Sequence, residues 1–371
     1  MVGMRETWRA QLFDPRAPVE ADALAALEES GRVYQVHDRI EAQLDELIRA
    51  REPAAKFSAA ELAQHRTAML NGLPLRSYGT WVWYPWSGRL VHVLPREEYQ
   101  QLRTDRNRGK LDRAGQQRLL RVRIGVVGLS VGNSAAVTCA MEGVGGAFRL
   151  ADFDDLGLSN LNRIRSGVQD LGVNKAVIAA RQIAEIDPYL QVEIFPGGLT
   201  EEAMDDFFDG SGQLIDLLVE ECDMPYVKVA SREQARARRI PVVMDASDRG
   251  LLDIERFDLE PDRPLLHGRL DGIHSQDLRA LSVEQSIALI VQMVDPDGIS
   301  DELAAAVLEY GRTLSSWPQL ASAVMLGGAI VTDAARRILL DQRCESGRYY
   351  VDLTRLVGNG VPGPVTEKIP A

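Results

Sequence analysis

The chain has 371 residues, 45% of them hydrophobic and 26% charged, with a formal net charge of -12; this leaves room for about two domains and a core that needs no staple. The acidic balance argues against broad nucleic-acid binding, which needs a basic footprint, and Cys139, Cys222 and Cys344 make neither a disulfide framework nor a C-x-x-C zinc site. The N-terminal MVGMRETWRAQLF lacks the apolar stretch of a signal peptide, and the longest apolar runs, near 286–294 and 320–331, are shorter than the about 20 helical residues that span a bilayer, so a soluble, cytoplasmic protein without a membrane partner is expected.

Neither an internal repeat nor a long low-complexity segment interrupts the chain. Residues 20–50 read as helices, with Leu24, Leu27, Ile40, Leu44, Leu47 and Ile48 at helical spacing. TWVWYPWSGRLVHVL (80–94) alternates apolar and polar residues around Pro-Trp-Ser-Gly and predicts a hairpin. Its Trp81, Trp83 and Trp86 suit either a binding platform or the core of a small domain, and the core is the simpler expectation. Residues 96–120 read as a charged, helical connector. From 122 onward strands alternate with helices: VRIGVVG, NSAAVTCAMEG, AFRLADFDD, NKAVIAARQIAEI, LQVEIFP, EEAMDDFF, QLIDLLVEE, REQARARRI and PVVMD. This order predicts an α/β, Rossmann-like, doubly wound and mainly parallel sheet. Late helices are expected over 283–311 and 319–340, and a loose Gly/Pro-rich tail after about 350. The expected organisation is an accessory domain over 1–102 with helices and a hairpin, a nucleotide-binding domain over 103–345 and a tail over 346–371.

Two chemistries compete for the turn after the first strand of the main domain. Gly128-Leu129-Ser130-Val131-Gly132 spells G-x-S-x-G, the nucleophile elbow of a hydrolase. The same strand, Gly-rich turn and helix also cradle phosphates on helix N-terminal amides. A hydrolase needs an acid and then a histidine downstream, and Asp245 or Asp248 with His267 or His274 supplies that order. The alternative rests on residues 151–175, ADFDDLGLSNLNRIRSGVQDLGVNK. Asp152, at the tip of the next strand, is placed to hold a ribose. Asn160, Arg163 and Lys175 bring an amide and two cations to the same rim, which suits a triphosphate with a metal better than a dinucleotide.

DFDDLGLSNLNR resembles the D-x-D-x-x-x-x-S-N-L-x-R segment of the ThiF/MoeB/HesA family, ATP-dependent enzymes that adenylate the carboxylate of a carrier protein or peptide. The resemblance extends upstream to RTDRNRGKLDRAGQQRLL, with Arg103 and Arg106 on the family's two arginines. Downstream it takes in Gly172-Val173-Asn174-Lys175, IDPYLQVEIF and LIDLLVEECDMPYVK, which ends in Asp223 and its neighbours. It implies that Gly128, Ser130 and Gly132 approach the nucleotide, Asp152 holds the ribose, Asn160 and Arg163 meet the β- and γ-phosphates, and Lys175 the α-phosphate. It further implies that Asp223 holds Mg2+ and that Arg106 acts across a homodimer interface. The cofactors so implied are ATP and Mg2+, and the partner is a carrier protein or peptide with a free carboxylate.

The chain departs from the family pattern in several places. Its glycine loop is shortened, with Ser130 where a second glycine is expected. Ile164, Met224 and Lys228 replace a glutamine, an asparagine and an arginine, and the C-x-x-C pairs are missing. No cysteine follows the strand at 241–245, where DRPLLHGRLDGIH offers His267 instead, so transfer to an external nucleophile is expected. Cys222 is expected to be a buried structural residue, and Cys344 is given no role. Relatives joined to nitroreductase-like domains suggest a separate flavoprotein partner. An NAD(P)-dependent oxidoreductase, a hydrolase, and a binding protein that keeps the fold without the activity stand as alternatives.

Overall fold

The computed structural model describes residues 7–294 and 298–357; the signal-peptide reading of the first six residues and the tail reading beyond Val357 lie outside them. The chain divides into two compact units, one reaching to Gln117 and including Ala180–Leu190, the other formed by Arg118–Ala179 and the chain from Gln191 onward. Among the described residues, no helix is long and apolar enough to cross a membrane.

The first unit carries β1 (Gln11–Phe13), α1 (Pro18–Glu29), β2 (Gln35–Asp38), α2 (Ile40–Arg51), α3 (Ala59–Leu70), β3 (Thr80–Tyr84), β4 (Arg89–Val93) and α4 (Arg96–Arg103). Its four strands lie in the order β1-β3-β4-β2. The expected hairpin is β3 against β4, antiparallel, with Trp81 opposite His92 and Trp83 opposite Leu90. Trp81 and Trp83 are buried with Phe13, Leu24, Leu27 and Leu90, and Trp81 stacks on His92 with centroids 4.3 Å apart. These two tryptophans are therefore core. Trp86 is half-buried, and its indole N–H donates to Glu185 at 2.7 Å.

Helix α3 and strand β2 escape the periodicity reading because each buries little: Leu62 is the one fully buried residue described on α3. A start signal for α3 is nonetheless present. Ser58 accepts from the Glu61 N–H while Glu61 accepts from the Ser58 N–H, a reciprocal pair that satisfies two otherwise open donors.

α5 (Arg113–Leu119) leads into the second unit, which holds β5 (Arg123–Val127), α6 (Gly132–Glu142), β6 (Ala147–Ala151), α7 (Lys175–Ile186, whose last turns count with the first unit), β7 (Gln191–Phe195), α8 (Met204–Asp209), β8 (Leu217–Glu220), α9 (Pro225–Ala237), β9 (Val242–Ala246), β10 (Leu251–Glu255), α10 (Val283–Val294), α11 (Asp301–Glu309), α12 (Ala321–Leu339), β11 (Gly347–Tyr350) and α13 (Leu353–Val357). The sheet order is β11-β10-β9-β8-β5-β6-β7. Strands β9, β8, β5, β6 and β7 are parallel, and the order reverses between β5 and β8, which opens a crevice beyond their carboxyl ends. The apolar run of β5 is buried on both faces: Val126 approaches Gly132 of α6, whereas Val127 packs with residues of α8 and α9.

Two features differ from the sequence reading. The sheet is extended by β10 and β11, both antiparallel. Residues 347–350, expected to begin the tail, are instead an edge strand that pairs β10 and sets Arg348 on the buried carboxylate of Asp253 at 2.7 Å. The apolar stretch 283–311 is two helices, α10 and α11. The second starts where Ser300 caps its own helix and Asp248 accepts from the Ser300 N–H and hydroxyl.

Candidate functional site

A cleft of about 650 Å³ lies at the reversal point, lined by the turn after β5, the tips of β6 and β8, and the segment after β7. Its volume is within the range of small-molecule sites. Gly128 makes the turn at φ +83°; a Cβ there would stand 2.6 Å from the Glu221 carbonyl oxygen, so only glycine lets β5 turn this close to β8. Ser130 and Val131 follow, and α6 begins at Gly132 without a side-chain cap, which leaves its N-terminal amides to whatever occupies the turn. Gly128 and Ser130 line the cleft; Gly132 lies behind them, with room for no side chain against Val126.

Asp152 fastens the turn to β6. One carboxylate oxygen accepts from the Leu129 N–H at 2.6 Å and the other from the Asp154 N–H at 2.8 Å. Burial raises its pKa, against the pull of Lys175 and these two amides. Lys175 opens α7 and lies in the wall of the cleft, its Nζ on Asp154 at 2.7 Å. Arg163, half-buried, donates from Nε to Ser130 Oγ at 3.2 Å. Burial lowers its pKa and the charge of Asp223 opposes that. Asp223 follows β8 and opens onto the cleft, yet protein surrounds it closely enough that desolvation raises its pKa. Lys228 pulls it back most strongly, Glu220 adds to the rise, and Arg163 and Lys175 pull it down further.

Ser130, Asp152, Lys175 and Asp223 thus line one cleft, and Arg163, outside the lining, reaches it through its bond to the Ser130 hydroxyl. Asn160 does not line the cleft: its Oδ1 accepts from the Gly157 N–H at 2.9 Å and shapes the short helical turn Leu158–Asn162 that carries Arg163. Arg106 lies in the first unit, in the turn Asp105–Asn107.

The hydrolase reading finds no support in these contacts. The Ser130 hydroxyl meets a guanidinium; His267 sits between Asp253 and Arg263, at 2.9 and 2.8 Å, and His274 faces Glu233. His267 lines neither the cleft nor its neighbouring cavity. Cys222 does line the cleft, but burial pushes its thiol up to about 12, so it is no nucleophile at neutral pH.

The sequence reading missed several wall residues. Gly197–Glu201 come from the loop after β7. Tyr226, Leu278, Arg279 and Leu281 come from α9 and a distant loop, with Arg279 paired to Glu201 at 2.8 Å. No local pattern marks them. Asp154 was legible as the second aspartate of the D-x-D pair, and its contact with Lys175 gives it a part in fixing that cation. Also unforeseen is the buried ion network behind β8, in which Glu220 meets Lys228 at 2.8 Å and Arg232, and Arg232 meets Glu255 at 2.6 Å. Burial alone would raise the Glu220 carboxyl, but Lys228 and Arg232 outweigh it and hold it low.

Residues 104–300 match the sequence profile described as the ThiF family. An uncharacterised protein of Mycobacterium tuberculosis, MT1398, is 45% identical over 274 residues, which cover 74% of this chain and 38% of that protein. The chain therefore spans well under half the length of that relative. The tRNA threonylcarbamoyladenosine dehydratase of Bacillus subtilis is 24% identical over 245 residues, 63% of this chain and 94% of its own length. The sulfur carrier protein ThiS adenylyltransferase of Escherichia coli is 36% identical over 94 residues, 25% of this chain and 37% of its own.

Proposed function

The chain belongs to the ThiF family, and from that premise we propose that the second unit is an ATP-dependent adenylyltransferase acting on the carboxylate of a carrier protein or peptide in the cytoplasm. The observation that carries this reading is that Lys175 and Asp223 line one cleft with Ser130, to whose hydroxyl Arg163 donates, at the uncapped start of α6. Two cations and one carboxylate at a helix N-terminus suit a triphosphate accompanied by a hard divalent ion.

In this reading the substrate carboxylate, ionised at pH 7 without a protein base, attacks the α-phosphorus. A bond forms between the acyl oxygen and phosphorus, the α–β phosphoanhydride bond breaks, and pyrophosphate leaves with the electron pair. Gly128 and Ser130 bring the turn's amides and hydroxyl to the phosphates, with Gly132 opening the helix behind them. Asp152 holds the ribose on the lone pairs left after its two amide bonds. Asn160 acts indirectly by shaping the turn that carries Arg163, while Lys175 faces the α-phosphate and Arg163 the β- and γ-phosphates. Their charge offsets what develops during transfer. Asp223 is assigned to hold Mg2+, which when bound would add Lewis-acid charge to the phosphate oxygens. Arg106 is assigned to the site of a second copy, which makes the active form a homodimer. A nitroreductase-like flavoprotein is a candidate later partner.

The reading is supported by the adenylyltransferase named among the relatives. Its test is ATP–pyrophosphate exchange, with and without Mg2+, across peptides and carrier-protein tails. Exchange that is lost in both Asp223→Ala and Arg163→Ala is the expected result. Wild-type rates in both variants overturn the assignment, and tight NADH binding with no exchange points to the oxidoreductase instead.

A further inference from the structure

Beside the cleft lies a second, smaller cavity of about 130 Å³, and Glu221 and Asp223 belong to the walls of both. Its far side is apolar, built by Ile290, Val294, Leu303, Val307 and Trp317. Its polar side carries Asp245, which is 6% exposed and has no hydrogen-bond partner on either carboxylate oxygen. The Ser247 hydroxyl beside it is likewise buried and unpartnered. α12 has a glycine at the point of closest approach: a Cβ at Gly327 would stand 1.8 Å from Asp245 Oδ2. The fold thus makes room for this carboxylate.

A buried carboxylate with no donor is destabilising by several kcal/mol, so what completes it matters. The other charged groups of the cavity are Glu221, Asp223, Lys228 and Asp248. Lys228, the one cation among them, is committed to Glu220 at 2.8 Å and Met244 at 3.2 Å. Among the described residues, no cluster of three or more His, Cys, Asp and Glu is arranged to hold a metal ion. The lining, with unpartnered Asp245 and Ser247 oxygens facing an apolar wall, suits a ligand with an apolar body and a cationic donor. At about 30 Å³ per water-sized group, the cavity takes about four or five heavy atoms.

We propose that this cavity binds a short aliphatic primary amine, its ammonium on Asp245 and Ser247 and its chain among the apolar walls, as the acceptor of the activated acyl group. The binding stands on the cavity alone; the role as acceptor rests on the adenylyl-transfer reading above. After the ammonium gives one proton to the Asp245 carboxylate, the amine nitrogen attacks the acyl carbon. A C–N bond forms, the C–O bond to the adenylate breaks, AMP leaves with the electron pair, and the nitrogen's second proton passes to solvent. A chain that lacks an acceptor cysteine after β9 thereby gains a nucleophile from outside. That Asp245 is pushed up to about 7 by burial accords with a group that holds or releases a proton near neutrality.

The test is calorimetric titration of the full chain with n-butylamine, with n-butanol and butyrate as neutral and anionic isosteres. Saturable binding of the amine alone is expected. It weakens at least tenfold in Asp245→Asn, and also in Leu303→Trp, which fills the apolar end and leaves the carboxylate in place. Equal binding of n-butanol, or unchanged amine affinity in both variants, overturns the site. A second arm supplies labelled n-butylamine with ATP and a carboxylate that supports exchange. Formation of a labelled amide with release of AMP supports the acceptor role. Exchange driven by γ-aminobutyrate, with no amide from n-butylamine, overturns that role and makes the amine part of the acyl substrate. Loss of exchange in the wild-type protein defeats the adenylyl reading while the calorimetry still reports on the cavity.

Discussion

Arg163 Nε donates to Ser130 Oγ across 3.2 Å, so the residue that stands where a second glycine was expected in the turn after β5 is the one that positions a cation. The hydroxyl bonds a charged donor, a contact in the class worth about 1.5–3 kcal/mol. Ser130→Ala is therefore expected to slow ATP–pyrophosphate exchange about tenfold without abolishing it. Arg163→Lys, which keeps the charge but loses the planar fork, is expected to fall between wild type and Arg163→Ala. Both variants, and the wild type, are expected to be inert to a fluorophosphonate probe at position 130. Covalent labelling of Ser130 would return the hydrolase reading.

Gly128 supports a different expectation. Alanine there meets a left-handed backbone at φ +83° and a carbonyl oxygen at 2.6 Å. The backbone term alone is about 1–2 kcal/mol, and the clash adds to it. Gly128→Ala is expected to lower unfolding free energy by more than about 2 kcal/mol in a urea titration and to weaken nucleotide binding with it. A variant as stable as wild type would show that the turn can move away from β8.

Arg232 lies fully buried between Glu220 and Glu255. Arg232→Met leaves the buried Glu255 without its ion-pair partner and Glu220 with Lys228 alone. Removing one partner of such a pair typically lowers stability by about 3–5 kcal/mol. The expected result is a lower urea midpoint, partly restored at low pH where the carboxylates protonate. An unchanged midpoint would mean that Lys228 compensates alone.

The pH dependence of stability carries a signature of Asp245. Its pKa rises from an ordinary 3.8 to about 7 on burial, so between those values the folded protein keeps a proton that the unfolded chain has released. The stability this confers is complete below about pH 4 and is lost as pH rises through 7. Asp245→Asn removes that loss. Thermal scans are expected to show wild type and variant close together at pH 4, with the variant higher at pH 8. At about 2–4 °C per kcal/mol for a unit of this size, the gap is expected to be several degrees. A gap that does not widen with pH would place the titration elsewhere.

Much of the second unit was legible because its signals are local. The apolar run of β5, the glycine turn and the polar tip of β6 each declare their structure within a few residues, and the D-x-D-x-x-x-x-S-N-L-x-R segment carries Asp152 and Arg163 onto one rim. Asn160 shows the limit of such reading. It sits in the right segment, yet its Oδ1 is spent on the Gly157 N–H and shapes the turn rather than the cleft. β10 and β11 were missed because an antiparallel extension has no βαβ rhythm to announce it, and β11 lies some ninety residues beyond its partner in sequence.

The sequence by itself determined the parallel sheet, the glycine turn after β5 and the identities of the charged residues near it, since each depends on spacing that neighbouring residues enforce. Only the tertiary structure decided which of those charges feel one another, and that Asp245, Ser247 and Gly327 share one pocket wall. Those outcomes depend on desolvation and on packing between segments far apart in the chain, and one-dimensional spacing contains neither.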